Sequence, residues 1–233
     1  MEEGGGMYEV IEKDILIPVD GLRLEATLTL PPKTEGIVIF AHGSGSSRFS
    51  PRNKYVASVL QEHHFATLLA DLLTPGEDEV YANRFNIDLL TERLIAITHW
   101  VTHRDFGESI PVGYFGASTG AASALRAAAK CPKIIRAVVS RGGRPDLAMD
   151  YLQQVQCPVL MIVGSYDEEV LQLNRLAFQK LPNNKELKVV EGATHLFEEP
   201  GKLEEVARLA NCWFQLHLAK ATAQESFEIT QKV

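Results

Sequence analysis

Several things are scarce in this 233-residue chain, and each scarcity narrows the reading. Cysteine occurs three times, at Cys131, Cys157 and Cys212, an odd count at wide spacings with no CxxC pair. That argues against a zinc or redox motif, and a chain of this length buries a core without covalent staples. Cys157, just before Pro158 and an apolar run, reads as a buried core thiol. Long apolar runs are missing too: the longest, such as residues 37–41 and 158–163, are far too short to span a bilayer. The N-terminal MEEGGGMYEV has neither a basic n-region nor an apolar h-region, so no signal peptide and a cytoplasmic location are expected. Positive charge is in deficit, 23 Lys and Arg against 30 Asp and Glu, for a net charge of −7. The basic face that general binding to nucleic acid or an anionic membrane needs is therefore not expected, although a local basic pocket is not excluded.

What remains is ordinary globular usage, with 45% apolar and 23% charged residues. The length suits one α/β domain, with flexible tails at 1–7 and 220–233. Residues 8–18 and 22–30 read as two antiparallel strands around the turn Val19-Asp20-Gly21. In the second, Leu22, Leu24, Ala26, Leu28 and Leu30 alternate with polar residues, which predicts one wet face. From residue 36 the pattern changes to continuous apolar runs, the sign of strands buried on both faces. Such runs at 36–41, 65–72, 111–115, 135–140, 158–163 and 187–190 alternate with helical stretches at 51–62, 88–103, 120–130, 169–181 and 203–218. A further short helix is expected over 146–154. Strand alternating with helix predicts a mostly parallel twisted sheet of about eight strands, covered on both faces, with the antiparallel strands at its N-terminal edge. Ligands of such sheets bind beyond the carboxyl ends of the strands.

At one of those ends stands Gly116-Ala117-Ser118-Thr119-Gly120, a G-x-S-x-G sequence directly after a strand and directly before a helix. That is the context of a nucleophile elbow, where a serine on a sharp turn stands clear of the sheet. The small neighbours are required because bulk at Gly116 or Gly120 would collide with the adjacent strand and helix. A serine needs a base to take its proton and a third group to orient that base. Asp167 and His195 follow in the order Ser, Asp, His, each just past a strand end on the same edge. Each also has a plain alternative: Asp167 as a helix N-cap, with Glu168 or Glu169 as orienter, and His195 as a surface histidine. The oxyanion hole is expected from the backbone N–H groups of Ser44, after the strand at 36–41, and Thr119, after the nucleophile. His42 is expected to hold its loop. His99 and His103 stand four apart on a predicted helix, but no acidic or cysteine partner completes a site, and no metal is expected.

With these residues in place the sequence resembles α/β-hydrolases of the dienelactone hydrolase type. The resemblance covers roughly residues 15–218, including His42-Gly43, the elbow at 116–120, Asp167 and His195. It implies an α/β-hydrolase fold with a minimal lid and nucleophilic hydrolysis without a cofactor. The family's namesake enzymes carry cysteine where this chain has Ser118, so the resemblance implies a general serine esterase rather than dienelactone as substrate.

The expected reaction is cleavage of a small carboxylic ester or lactone through an acyl-enzyme on Ser118. The same residues would serve an acyltransferase or thioesterase, and a non-catalytic binder on this fold is a further alternative. Arg48, Arg84, Arg141 and Arg144 fall on loops at the carboxyl edge. Arg141 and Arg144 are candidates to bind an anionic substrate group, but Glu77, Asp78, Glu79 and Asp146 lie on the same loops, and pairing with them is the favoured expectation. The stretches 146–154 and 74–86 are the candidates for a partial lid. Leu147, Met149, Tyr151, Tyr81 and Phe85 would line a pocket or, as expected more often, pack in the core.

Overall fold

The computed structural model describes residues 9–104, 110–182 and 184–218. The expected tails at 1–7 and 220–233 lie outside the described residues. Eight strands form one sheet: β1 Ile11–Val19, β2 Leu22–Leu30, β3 Gly36–Ala41, β4 Phe65–Ala70, β5 Val112–Ala117, β6 Ile135–Arg141, β7 Val159–Gly164 and β8 Lys185–Val190. Their spatial order is β1-β2-β4-β3-β5-β6-β7-β8. β2 is antiparallel to both neighbours, and from β4 to β8 every pairing is parallel.

Among the described residues six α-helices accompany the strands: α1 Pro51–Glu62, α2 Pro75–Asp78, α3 Ile87–Thr102, α4 Thr119–Lys130, α5 Glu168–Lys180 and α6 Lys202–His217. The start of α1 follows from Ser50, whose hydroxyl accepts the N–H of Asn53, and from Pro51 at the first helical position. The period of two along each central strand divides the core into two layers. Ile37 and Ile39 of β3 pack with Leu94 and Ile97 of α3 and with Leu125 of α4. Val38 and Phe40, on the other face, pack with Leu60 of α1 and with Trp213 and Phe214 of α6. β2 shows the predicted half-buried pattern at Leu24, Ala26 and Leu28, although Leu22 is exposed and Thr29 is buried. Cys157 is buried as expected, and apolar surroundings push its thiol up to about 12.

Two predicted elements differ: the run at 187–190 is not buried on both faces, because β8 is an edge strand on which Lys188 and Val189 are exposed. The stretch 146–154 is two separate 3-10 turns, Pro145–Ala148 and Leu152–Gln154. Proline at the first position starts the turn, and the Asp146 carboxylate is engaged by Arg144, at 2.9 and 2.8 Å, rather than capping a longer helix. Leu147, Met149 and Tyr151 pack partly buried against the core, as expected. Tyr81 and Phe85 do not: they are 70% and 45% exposed and lie against each other with ring centroids 5.1 Å apart. No described helix is long and apolar enough to cross a membrane.

Candidate active site

β5 ends at Ala117, and the next residue turns hard. Ser118 has φ 51° and ψ −121°, a left-handed conformation rare for a residue with a side chain. The turn is held from three directions. Ser118 N–H donates to the Arg141 carbonyl at 3.2 Å, and the Ser118 carbonyl accepts from Ala121 N–H and Arg144 N–H, each at 3.1 Å. Close packing fixes the two flanking glycines. A Cβ on Gly116 would sit 2.5 Å from Ala121 Cα, and one on Gly120 would sit 2.2 Å from the Ala41 carbonyl oxygen. The expected collisions with strand and helix are therefore real distances.

Asp167 occupies the N-cap position of α5, but its side chain makes no cap hydrogen bond. Its carboxylate instead meets His195, with Nδ1 to Oδ2 at 2.5 Å. With Nδ1–H donated to the carboxylate, Nε2 is left as the proton acceptor. Glu168 and Glu169 are exposed and take no part in this pair. The two loops are laced together below it: Tyr166 N–H donates to the Ala193 carbonyl at 3.0 Å, and Gly192 N–H to Ser165 Oγ at 2.8 Å. Glu199 accepts from Thr194 Oγ1 at 2.7 Å, which fixes the other flank of His195. A Cβ on Gly142 would lie 3.4 Å from His195 Cε1, so the imidazole rests against the residue that follows Arg141, the acceptor for Ser118 N–H. Among the described residues no hydrogen bond joins Ser118 Oγ to the imidazole, and the hydrogen-bonded part of the arrangement is the His195–Asp167 pair.

The expected oxyanion donors come out differently from one another. Thr119 begins α4, where a backbone N–H has no intrahelical acceptor. Ser44 N–H, expected to be open, donates to Thr119 Oγ1 at 2.8 Å. The reason is local: Gly43 lies against Ser118, with a Cβ there 3.1 Å from Ser118 Cβ, and this draws the loop onto the first turn of α4, within reach of the threonine hydroxyl. The role of this hydroxyl is not readable from the sequence, where Thr119 stands out only for following the nucleophile.

His42 is a loop anchor. Its Nε2 accepts from Leu72 N–H at 3.1 Å, and Nδ1 lies 3.0 Å from the Gly43 carbonyl, so Nδ1 carries the proton. Burial holds this imidazole below the usual histidine range and keeps it neutral. Of the loop arginines, Arg144 pairs with Asp146 and Arg84 with Asp78, both through two hydrogen bonds. Arg48 pairs with Asp71 and Glu25. Arg141 lies 5% exposed at the end of β6, without a carboxylate partner among the described residues. His103 turns its ring nitrogen to the His99 carbonyl at 2.6 Å, and among the described residues no three His, Cys, Asp or Glu side chains are gathered as metal ligands would be.

Comparison with known proteins agrees with this fold. A model of the dienelactone hydrolase family matches residues 24–218. A crystal structure of dienelactone hydrolase from Anabaena variabilis is 49% identical, covers 91% of this chain and 100% of its own, and superposes with a TM-score of 0.88. Est1E from Butyrivibrio proteoclasticus, 20% identical over 87% of this chain and 97% of its own, shares the fold with a TM-score of 0.76. Two Mycobacterium tuberculosis proteins, each named "Putative phosphoribosyl transferase", are 55% identical over 207 residues, 89% of this chain but 47% of theirs. The chain thus spans about half the length of the curated relatives it matches.

Proposed function

The chain belongs to the dienelactone hydrolase family, and on that premise we propose that it is a serine hydrolase that cleaves small carboxylic esters or lactones through an acyl-enzyme on Ser118. The observation that carries the proposal is the pairing of Asp167 with His195: a residue placed to cap a helix leaves the cap unfilled and orients an imidazole instead, on the strand edge where the chain also turns at a left-handed serine.

Ser118 Oγ attacks the carbonyl carbon while His195 Nε2 takes its proton. Asp167 keeps the imidazole in the Nδ1–H tautomer and stabilises the imidazolium. The alcohol leaves with the proton from His195, and the acyl group remains on Ser118. Water, activated by the same Nε2, attacks this ester, and its collapse returns the free serine. The developing oxyanion is met by Thr119 N–H. On the Ser44 side the donor is the Thr119 hydroxyl: it accepts the Ser44 N–H, and that hydrogen bond polarises the O–H that it offers onward. No cofactor enters any step.

The name of the Mycobacterium tuberculosis relatives refers to proteins about twice as long as the matched region. Labelling with a fluorophosphonate probe tests the reading directly. Wild type is expected to label and Ser118→Ala is not, and a panel of esters and thioesters then sets the acyl preference. A Ser118→Ala protein that hydrolyses short p-nitrophenyl esters as fast as wild type would overturn the proposal.

A further inference from the structure

α5 buries one stripe, Val170, Leu171, Asn174 and Ala177, at the spacing of a helix face packed on a core. Asn174 is the polar member of that stripe and is 0% exposed, where a leucine of nearly the same size would pack without polar atoms. Its amide Nδ2 donates to the Gly143 carbonyl at 2.9 Å and to the Val170 carbonyl at 2.8 Å. Its Oδ1 has no partner among the described residues. Both neighbours of Nδ2 are acceptors, so the NH2 end must face them and the orientation of the amide is fixed. The bond to Val170 is the ordinary return of a polar side chain to its own helix. The bond to Gly143 spans 31 residues and joins α5 to the segment after β6.

That segment supports both the serine and the imidazole. The Arg141 carbonyl receives Ser118 N–H at 3.2 Å, and Arg144 N–H donates to the Ser118 carbonyl at 3.1 Å, so the two residues grip the elbow from either side. Between them, a Cβ on Gly142 would lie 3.4 Å from His195 Cε1 and 3.5 Å from its Nδ1. Gly142 N–H is fixed to the Ile162 carbonyl of β7 at 2.8 Å. Gly143 has little room: a Cβ there would lie 2.0 Å from Ser140 Oγ and 2.7 Å from Ala121 Cβ, at the first turn of α4. Past Gly142 the segment has left the ladder of the sheet, and Pro145 brings no N–H to tie it. The Gly143 carbonyl is held instead by Asn174.

We propose that Asn174 is a positioning residue for the reaction on Ser118: its amide ties the Gly143 carbonyl to the helix that begins after Asp167, and so fixes the elbow and the Asp167–His195 pair relative to each other. The proposal rests on the hydrolase reading above. On one side the tie runs along α5 to Asp167, about two turns before Asn174, which holds His195 at Nδ1. On the other it runs through Gly143 to Arg144, which holds Ser118. Because no hydrogen bond joins Ser118 Oγ to the imidazole among the described residues, the alignment of the two depends on the backbone that carries each. A hydrogen bond, unlike an apolar contact, has direction, and it sets where the Gly143 carbonyl lies. A misplacement of about 1 Å at a reacting pair costs on the order of 10²-fold in rate, so a small release at Gly143 is enough to be felt in turnover.

Asn174→Leu keeps nearly the same shape and has no donor. For p-nitrophenyl acetate its kcat is expected to fall by about 10–100-fold with KM within about twofold. Tm is expected to move by only a few degrees, since the unpaired Oδ1 leaves together with the bond. Asn174→Asp gives a second readout. A carboxyl facing two carbonyl oxygens donates to one of them when protonated and repels both when ionised. Its kcat relative to wild type at the same pH is therefore expected to fall as pH rises from about 6 to about 9, a profile that lost packing alone does not produce. Wild-type kcat in Asn174→Leu overturns the proposal. Where that variant does not fold, a ratio that stays flat in Asn174→Asp overturns it. The Nδ1–H proton resonance of His195 reads the placement of the ring without turnover and is expected to shift in Asn174→Leu. If wild type labels at Ser118 and cleaves esters while Asn174→Leu matches its kcat, the positioning role fails and the hydrolase stands. If wild type neither labels nor cleaves esters but the resonance shifts in Asn174→Leu, the hydrolase reading fails and the tie from Asn174 to the Asp167–His195 pair stands. An unmoved resonance in an inactive protein ends both.

Discussion

His195 Nδ1 and Asp167 Oδ2 stand 2.5 Å apart across 28 residues of chain. The contact has a cost elsewhere, because Asp167 sits at the N-cap of α5 and leaves that cap unfilled, a loss of about 1 kcal/mol of helix stability. Asp167→Asn keeps the shape of the side chain and removes the carboxylate that selects the imidazole tautomer. We expect kcat for p-nitrophenyl acetate to fall by about 10³–10⁴ while Tm stays within a few degrees. A loss of less than about tenfold would mean that Asp167 does not orient the base.

The elbow makes a separate prediction about space. A Cβ on Gly120 would come within 2.2 Å of the Ala41 carbonyl oxygen and 2.4 Å of the His42 carbonyl oxygen, both backbone atoms that cannot swing aside. Gly120→Ala is therefore expected to destabilise the fold by more than about 2 kcal/mol and to abolish Ser118 labelling. Gly45→Ala is the comparison. Gly45 has φ +68°, but nothing lies within 4 Å of its Cβ position, so the substitution costs backbone strain alone, about 1 kcal/mol. Denaturant unfolding of the two variants checks the order, and equal losses would count against the close-approach explanation.

These distances also show what was legible beforehand. The continuous apolar runs of β3, β4 and β5 stand out in the sequence because strands buried on both faces need no polar alternation. Ser118, Asp167 and His195 stand out as candidates from their places after predicted strands, since topology puts those ends on one edge. What stayed hidden was pairing between distant residues. The pairing of Arg144 with Asp146, two residues on, is the expected one, but nothing local says that Arg141, three residues earlier, finds no carboxylate among the described residues. The insertion of β4 between β2 and β3 is equally non-local. The single helix expected over 146–154 failed because Pro145 and the Arg144–Asp146 pair favour tight turns over a continuous hydrogen-bond ladder.

Thr119 carries the prediction that most distinguishes this site from a hole made of backbone donors alone. Its hydroxyl takes the Ser44 N–H at 2.8 Å and, in the proposed mechanism, offers its own hydrogen to the oxyanion. Thr119→Val keeps the branched shape and removes both roles. We expect kcat to fall by about 10²–10³, the usual scale for one lost oxyanion donor, with KM changed little because the interaction develops only as charge builds on the carbonyl oxygen. Thr119→Ser is expected to recover most of the rate. If valine is as fast as threonine, the hydroxyl is merely filling space and Ser44 N–H serves directly once it is released.

His42 links the site to stability through pH. Burial lowers its pKa in the folded protein from the ordinary 6.5, against smaller opposing effects of the Gly43 carbonyl and Asp71. The sign follows from linkage: between the lowered folded value and 6.5 the unfolded chain binds a proton that the folded chain refuses. The stability that His42 contributes is therefore fully present above about pH 6.5 and is lost as pH falls below it, at no more than about 1.4 kcal/mol per pH unit, until the folded histidine itself takes a proton. His42→Gln keeps an acceptor for Leu72 N–H and has nothing to titrate. Unfolding by urea at intervals from pH 8 to pH 5 should show wild type losing stability faster than the variant below about pH 6.5, with the two curves parallel above it. Parallel curves throughout would mean that His42 charges in the folded state as readily as in the unfolded chain, and that its contact with Leu72 survives protonation.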